Sequence, residues 1–145
     1  MALPRAGSCD HVGLFSNDAA RLARFYCGHL GFSIEKEDIL PTSIMKPIFG
    51  LADSCRLVKL TAGGTGRRDS SPPLKIEIFQ PLRTRLSRRR NGIVGFNHGS
   101  FSVGDRIKFV QGLRSGDVPI IEVRRNGHRV FFIRDPDGNR IEIRD

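Results

Sequence analysis

RDPDGNRIEIRD, Arg134 to Asp145, joins a tight turn to a short strand. In Asp135-Pro136-Asp137-Gly138-Asn139 the proline presets φ for the first central position of a turn, and Gly138 supplies positive φ where it is needed. Ile141-Glu142-Ile143 then alternates with period two, two β-branched residues on one face and a carboxylate on the other. Such a carboxylate belongs either to a solvated edge strand or to a strand that aims a ligand into a cavity. The rest of the chain has to decide.

Working outward, the stretch is the last member of a series. His128 to Arg134 reads as a strand, preceded by Asn126-Gly127, the preferred dipeptide of a two-residue hairpin turn. Val118 to Arg124 is the strand before it. Gly104-Asp105 starts a helix carrying Ile107, Val110 and Leu113, weakened by Gly112 and ended at Ser115-Gly116. Ile93 to Val103 is the strand that opens this series. The same order stands earlier in the chain. Asp10 to Ser16 is a strand with Val12 and Leu14 on one face and His11, Gly13 and Phe15 on the other. Asn17-Asp18 offers a helix N-cap, Leu22, Phe25, Tyr26 and Leu30 form an apolar stripe, and Gly31 is the stop. Phe32 to Glu37, Cys55 to Thr61 and Leu74 to Gln80 are three further strands. Ile39 to Ala52 reads as irregular and apolar enough to be a lid, a rim or a loop packed on a sheet edge. Thr61 to Pro73 reads as a flexible hairpin connection whose glycines lack the spacing of a phosphate-binding loop.

Each half therefore reads strand, helix, strand, strand, strand. The fold class is α+β: two βαβββ modules in a single domain over residues 1–145, module 1 over about residues 8–82 and module 2 over about residues 93–145, joined by a basic linker at 83–92.

A chain of 145 residues suffices for one domain with a real core. Cys9, Cys27 and Cys55 are odd in number and contain no CxxC, which argues against a disulfide framework and a thiolate zinc site. No apolar run has membrane-spanning length, and MALPRAGSCD lacks a signal-peptide layout, so a soluble cytoplasmic protein is expected. The net charge of +9 raises nucleic acid as a partner. One tyrosine and no tryptophan leave little for base stacking, and the run Arg83 to Arg90 reads as a solvated linker. A small anionic substrate is the milder reading of the same charge.

The repeat singles out four residues. His11 and His98 lie in the first strand of each half, and Glu77 and Glu142 in the last. Apolar neighbours (Val12, Ile76, Ile78, Ile141, Ile143) claim the core face, so period two turns the four toward the opposite face. Two imidazoles and two carboxylates make a donor set for a divalent metal. His29 and His128 have no counterpart in the other half and read as surface residues.

With DHVGLFSND (Asp10 to Asp18), FYCGHLGF (Phe25 to Phe32), IEIF (Ile76 to Phe79), NHGSFSV (Asn97 to Val103) and RDPDGNRIEI (Arg134 to Ile143), the chain resembles the vicinal oxygen chelate superfamily. That superfamily holds glyoxalase I, extradiol dioxygenases, fosfomycin-resistance enzymes and bleomycin-resistance proteins. The resemblance implies modules pairing into an incomplete barrel around a divalent metal (Zn, Ni, Co, Mn or Fe(II)), with His11, Glu77, His98 and Glu142 on the four ligand positions. In that superfamily the paired modules come from one chain or are exchanged between two, so a homodimer is expected; the lack of a membrane-length apolar run gives no membrane partner. The full donor set points to a lyase or isomerase of the lactoylglutathione-lyase type, with Glu142 or Glu77 as the catalytic proton carrier. Enzymes of that type usually carry an arginine shortly after the first histidine, where this chain has Leu14 and Phe15; Arg56, Lys59 or a linker arginine are alternative anion holders. Methylmalonyl-CoA epimerases typically have glutamine where Glu77 stands. The alternatives are a small dioxygenase or thiol transferase using His11, His98 and Glu142, and a metal-free, ligand-sequestering protein of the bleomycin-resistance kind.

Overall fold

The computed structural model describes residues 9–62, 73–88 and 94–145, divided into two compact units, Met1–Leu86 and Ser87–Asp145. The first unit runs β1 (His11–Phe15), α1 (Ala19–Leu30), β2 (Phe32–Leu40), α2 (Thr42–Phe49), β3 (Cys55–Ala62) and β4 (Lys75–Pro81). The second runs β5 (His98–Ser102), α3 (Arg106–Arg114), β6 (Ile120–Arg125), β7 (His128–Arg134) and β8 (Arg140–Arg144). Each has one four-stranded mixed sheet, ordered β1-β4-β3-β2 and β5-β8-β7-β6. In both, the first strand pairs in parallel with the last, and the remaining pairs are antiparallel. The βαβββ repeat expected from element order is present in each unit.

Helix α1 starts where the Asp18 carboxylate accepts from the Arg21 amide at 2.9 Å, satisfying an amide with no intrahelical partner. It stops at Gly31, whose φ of 72° only glycine adopts without a Cβ penalty. Its Leu22, Phe25 and Tyr26 are buried. The Ala19 amide donates to Gln80 Oε1 at 2.8 Å, tying the helix start to β4. Register puts Val58, Leu60, Ile76 and Ile78 on the sheet face that shares Gln80, and all four are buried. Each fully buried aliphatic side chain of this kind stabilises the fold by about 1.5–3 kcal/mol relative to exposure. In unit 2, Asp105 caps α3 by accepting from the Lys108 amide at 2.9 Å, and Val110 and Leu113 are buried.

The largest departures from expectation are three. Strand β2 continues to Leu40, with a bulge between Ile34 and Lys36. Strand β5 begins only at His98, and Val94 is exposed. Residues 42–49, expected to be irregular, form helix α2. Pro41 stands at its N-cap and Gly50, φ 69°, ends it; both are helix-boundary signals as well as loop signals. Pro47 lies within the helix and forfeits only one backbone bond in so short an element. The glycine-rich connection expected after Thr61 lies outside the described residues except at its ends, where the Ala62 amide donates to the Leu74 carbonyl. All three cysteines are free, with Cys55 buried and Cys9 exposed.

Helix α2 packs on the face of the first sheet opposite Val58 and Ile78. Met45, Cys55, Leu57 and Phe79 form one buried cluster, and Phe49 meets Phe15 and Phe79 with ring centroids 5.3 and 5.4 Å apart. The linker after β4 is held close to this unit. Buried Asp53 accepts from the Thr84 amide at 2.7 Å and the Arg83 amide at 2.8 Å. The Asn17 side chain bonds the Leu86 amide and carbonyl, both at 2.9 Å.

Candidate metal centre

In unit 1 the parallel register puts Gly13 opposite Glu77 and His11 opposite Lys75. Residues paired across a ladder share a face, so His11 and Glu77 stand together on the face away from Ile76 and Ile78. His11 Nε2 lies 3.5 Å from Glu77 Oε2. The other ring nitrogen, Nδ1, lies 2.8 Å from Asp10 Oδ2. An ionised carboxylate only accepts, and the bond to His11 holds the Asp10 carboxyl below its usual range. Nδ1 therefore donates to Asp10, and Nε2 is the nitrogen turned toward Glu77.

Unit 2 repeats the arrangement. His98 stands opposite Arg140 and Ser100 opposite Glu142, the same offset as in unit 1. His98 Nε2 lies 3.7 Å from Glu142 Oε2, and Nδ1 contacts the Asn97 side-chain oxygen. The Phe132 ring packs edge-on against the imidazole with centroids 5.3 Å apart. Beneath Glu142, Ile141 and Ile143 are buried on the other face. The preceding turn is tied by Asp135, whose carboxylate accepts from the amides of Asp137 and Asn139 and from the Asn139 side chain at 3.0, 2.9 and 2.8 Å. The Gly138 amide donates to the Asp135 carbonyl at 2.9 Å, closing the turn with Pro136 at its first central position and Gly138 at φ 86°.

Each unit thus presents one imidazole and one carboxylate, with the ring oriented by an acceptor on the preceding residue. A histidine that ligates a metal through one nitrogen is typically held this way through the other. At 3.5 and 3.7 Å the nitrogen–oxygen separations exceed hydrogen-bond length. They lie at or slightly above the roughly 3–3.5 Å that separates neighbouring ligands of one ion at bond lengths of about 2.0–2.2 Å. The donors present therefore fit a divalent metal. Within either unit, no third donor joins the pair among the described residues.

The pairs differ in their cations. Lys59 Nζ lies 2.7 Å from Glu77 Oε1, and that bond raises the lysine pKa. Glu142 has at the matching ladder position Phe132, and its cation, Arg144, reaches it only at 3.9 Å. Lys59 and Arg56, read from sequence as anion holders, are thereby committed to internal carboxylates: Arg56 Nη2 lies 2.7 Å from Glu37. His29 meets the Phe25 ring at a tilt within unit 1, with centroids 5.1 Å apart. His128 is exposed, but it lines a pocket of about 360 Å³ together with Glu142 and several arginines. Sequence reasoning overlooked that pocket, although its signal stands in Arg124-Arg125-Asn126-Gly127-His128-Arg129, a hairpin tip crowded with cations.

Solved structures share the fold across almost the whole chain. A glyoxalase family protein from Bacillus cereus matches with a TM-score of 0.75 at 16% identity, covering 99% of this chain and 96% of that one. The trypanothione-dependent glyoxalase I of Leishmania major matches with a TM-score of 0.65 at 24% identity, covering 97% and 87%. Lactoylglutathione lyase from Agrobacterium tumefaciens matches with a TM-score of 0.60 at 19% identity, covering 97% and 94%. No curated protein matches the chain. The family model matches residues 8–143, and on that extent the chain belongs to the Glyoxalase/Bleomycin resistance protein/Dioxygenase superfamily.

Proposed function

We propose that the chain is a divalent-metal-dependent enzyme of lyase or isomerase type, acting on a small anionic substrate, with His11, Glu77, His98 and Glu142 as the metal ligands. The observation that carries this reading is the duplication of one oriented donor pair: His11 with Glu77, backed by Asp10, and His98 with Glu142, backed by Asn97. A solvated strand histidine needs neither a backing acceptor nor a carboxylate facing its other nitrogen. A divalent ion held there supplies Lewis-acid stabilisation of charge on substrate oxygens. The chain's own part is to orient those oxygens and to move a proton. Glu142 is the better proton carrier of the two carboxylates. Its nearest cation stands at 3.9 Å, whereas Lys59 already engages Glu77 at 2.7 Å and occupies one of its oxygens.

The same Lys59 contact favours a second reading, in which Glu77 stays with Lys59 and the ligands are His11, His98 and Glu142 alone. That set suits a small dioxygenase or a thiol transferase. Glu77→Gln separates the two. Loss of metal affinity by about tenfold or more supports four ligands, and unchanged affinity supports three. A chain that takes up none of Zn, Ni, Co, Mn or Fe(II) would instead be a ligand-sequestering protein.

A further inference from the structure

The two sheets differ most at the strand ends beyond their Glu residues. In unit 1 that end of the face is filled by α2 and the Phe15, Phe49 and Phe79 rings. In unit 2 the same strand ends hold a pocket of about 360 Å³ lined from both faces of the sheet, by Arg125, His128, Glu142 and Arg144 on one and by Arg129 and Ile143 on the other, with Arg106 of α3. Register places Arg125 opposite His128 and Phe132 opposite Glu142. Period two then puts Arg125, His128, Glu142 and Arg144 on the face that also bears His98.

The four guanidiniums are not equivalent. Arg129 Nε donates to Glu122 Oε1 at 2.7 Å, and Arg106 Nε lies 3.3 Å from Asp145 Oδ2. Arg129 is thus committed by a hydrogen bond, whereas Arg106 is only ion-paired and its buried Nε makes no hydrogen bond among the described residues. Arg144 stands 3.9 Å from Glu142, beyond hydrogen-bond distance, and Arg125 makes no ion pair among the described residues. Two planar forks of N–H donors with open capacity, beside an imidazole, suit an oxyanion that can accept from both. A concave site of this size suits a small molecule. A nucleic-acid backbone would ask for an extended stripe of such contacts.

We propose that this pocket is the subsite for a compact oxyanion, a carboxylate or phosphate on the substrate, with Arg125 and Arg144 as its bidentate donors and His128 as a third. This deepens the reading of Glu142 as part of a metal centre, since the oxyanion would then stand beside that centre. Glu142 lines the same pocket, so its negative charge opposes the anion until a cation neutralises it. Anion and cation binding are therefore coupled, each strengthening the other.

Calorimetric titration of the full chain with inorganic phosphate, after chelator treatment and at constant low ionic strength, tests the subsite apart from the metal. One saturable site is expected. Arg125→Ala and Arg144→Ala each weaken it by about fivefold or more, and Glu142→Gln tightens it. Arg24→Ala, which removes the same charge from an exposed position on α1, leaves it within about twofold. Equal weakening by Arg24→Ala and Arg125→Ala, or no saturation by tens of millimolar phosphate, would overturn the proposal, as would steep salt dependence shared by every variant. Circular dichroism of each variant confirms that the fold is kept. Phosphate binding that persists in a chain unable to take up metal would leave the pocket standing and remove the metal reading; the reverse result would do the opposite.

Discussion

The two units share strand order, pairing and the ladder offset between histidine and glutamate, yet their second faces are opposites. In unit 1 fourteen residues, 41–54, connect β2 to β3 and fold as α2, which covers part of that face with Met45 and Phe49. In unit 2 the same connection is Asn126-Gly127, and the matching region is open and cationic. That longer connection thus turns one face of the unit 1 sheet into a second core. The lesson is that a duplicated frame repeats the His–Glu pair in both halves, while the connection between its second and third strands decides which half keeps an open pocket.

The largest expected effect comes from emptying the unit 1 cluster. Met45→Ala, at a side chain with no exposure, lowers stability by about 2–5 kcal/mol in urea titration. Val130→Ala, at the half-buried pocket wall of unit 2, costs less than about 1.5 kcal/mol. Equal costs would mean that the two faces are not packed differently. Next in size is Gly138→Ala. A Cβ there meets nothing within 4 Å, so the cost is that of forcing φ 86° on an L-residue, about 1–2 kcal/mol.

Asp53 anchors the linker of unit 1 and adds a pH signature. Hydrogen bonds from the Thr84 and Arg83 amides depress its pKa from 3.8 to about 2. A depressed carboxylate contributes stability that is present above its unfolded pKa and lost as pH falls through its folded one. The wild type should therefore lose stability more steeply than Asp53→Asn between about pH 4 and pH 2 in acid-melt series. Parallel curves would show that the two amides do not hold the carboxylate. The smallest expected effects lie at the matched ladder positions Lys59 and Phe132. Lys59→Met frees Glu77 and raises metal affinity several-fold if Glu77 is a ligand. Phe132→Lys places a competing cation opposite Glu142 and lowers it by a similar factor. Competition with a metallochromic dye reads both.

Much of this frame was legible in the sequence because local rules and tertiary demands agree there. Asp18 and Asp105 cap the helices they precede, Gly31 ends α1, and Asp135 to Asn139 turn as their composition dictates. The faces of His11, Glu77 and Glu142 follow from strand alternation against buried Ile76, Ile78, Ile141 and Ile143. Helix α2 was not legible, because Pro41, Pro47 and Gly50 break the apolar periodicity that would reveal so short a helix, and tertiary burial of Met45 overrides it. Nor was the Lys59–Glu77 contact, which depends on the β3–β4 register rather than on either residue's neighbours. The basic pocket was legible only in part: Arg125 and His128 flank one hairpin turn, but Arg144 joins them only once β7 and β8 are paired.

The central claim, that the duplicated His–Glu pairs hold one metal, is tested most directly by elemental analysis of chain purified without chelator and reloaded with each of Zn, Ni, Co, Mn and Fe(II). The account predicts about one ion per chain, occupancy lowered by about tenfold or more in His98→Ala and Glu142→Ala with circular dichroism unchanged, and full occupancy in His29→Ala. Less than about a tenth of an ion per chain under every metal, or equal loss in all three variants, would contradict it.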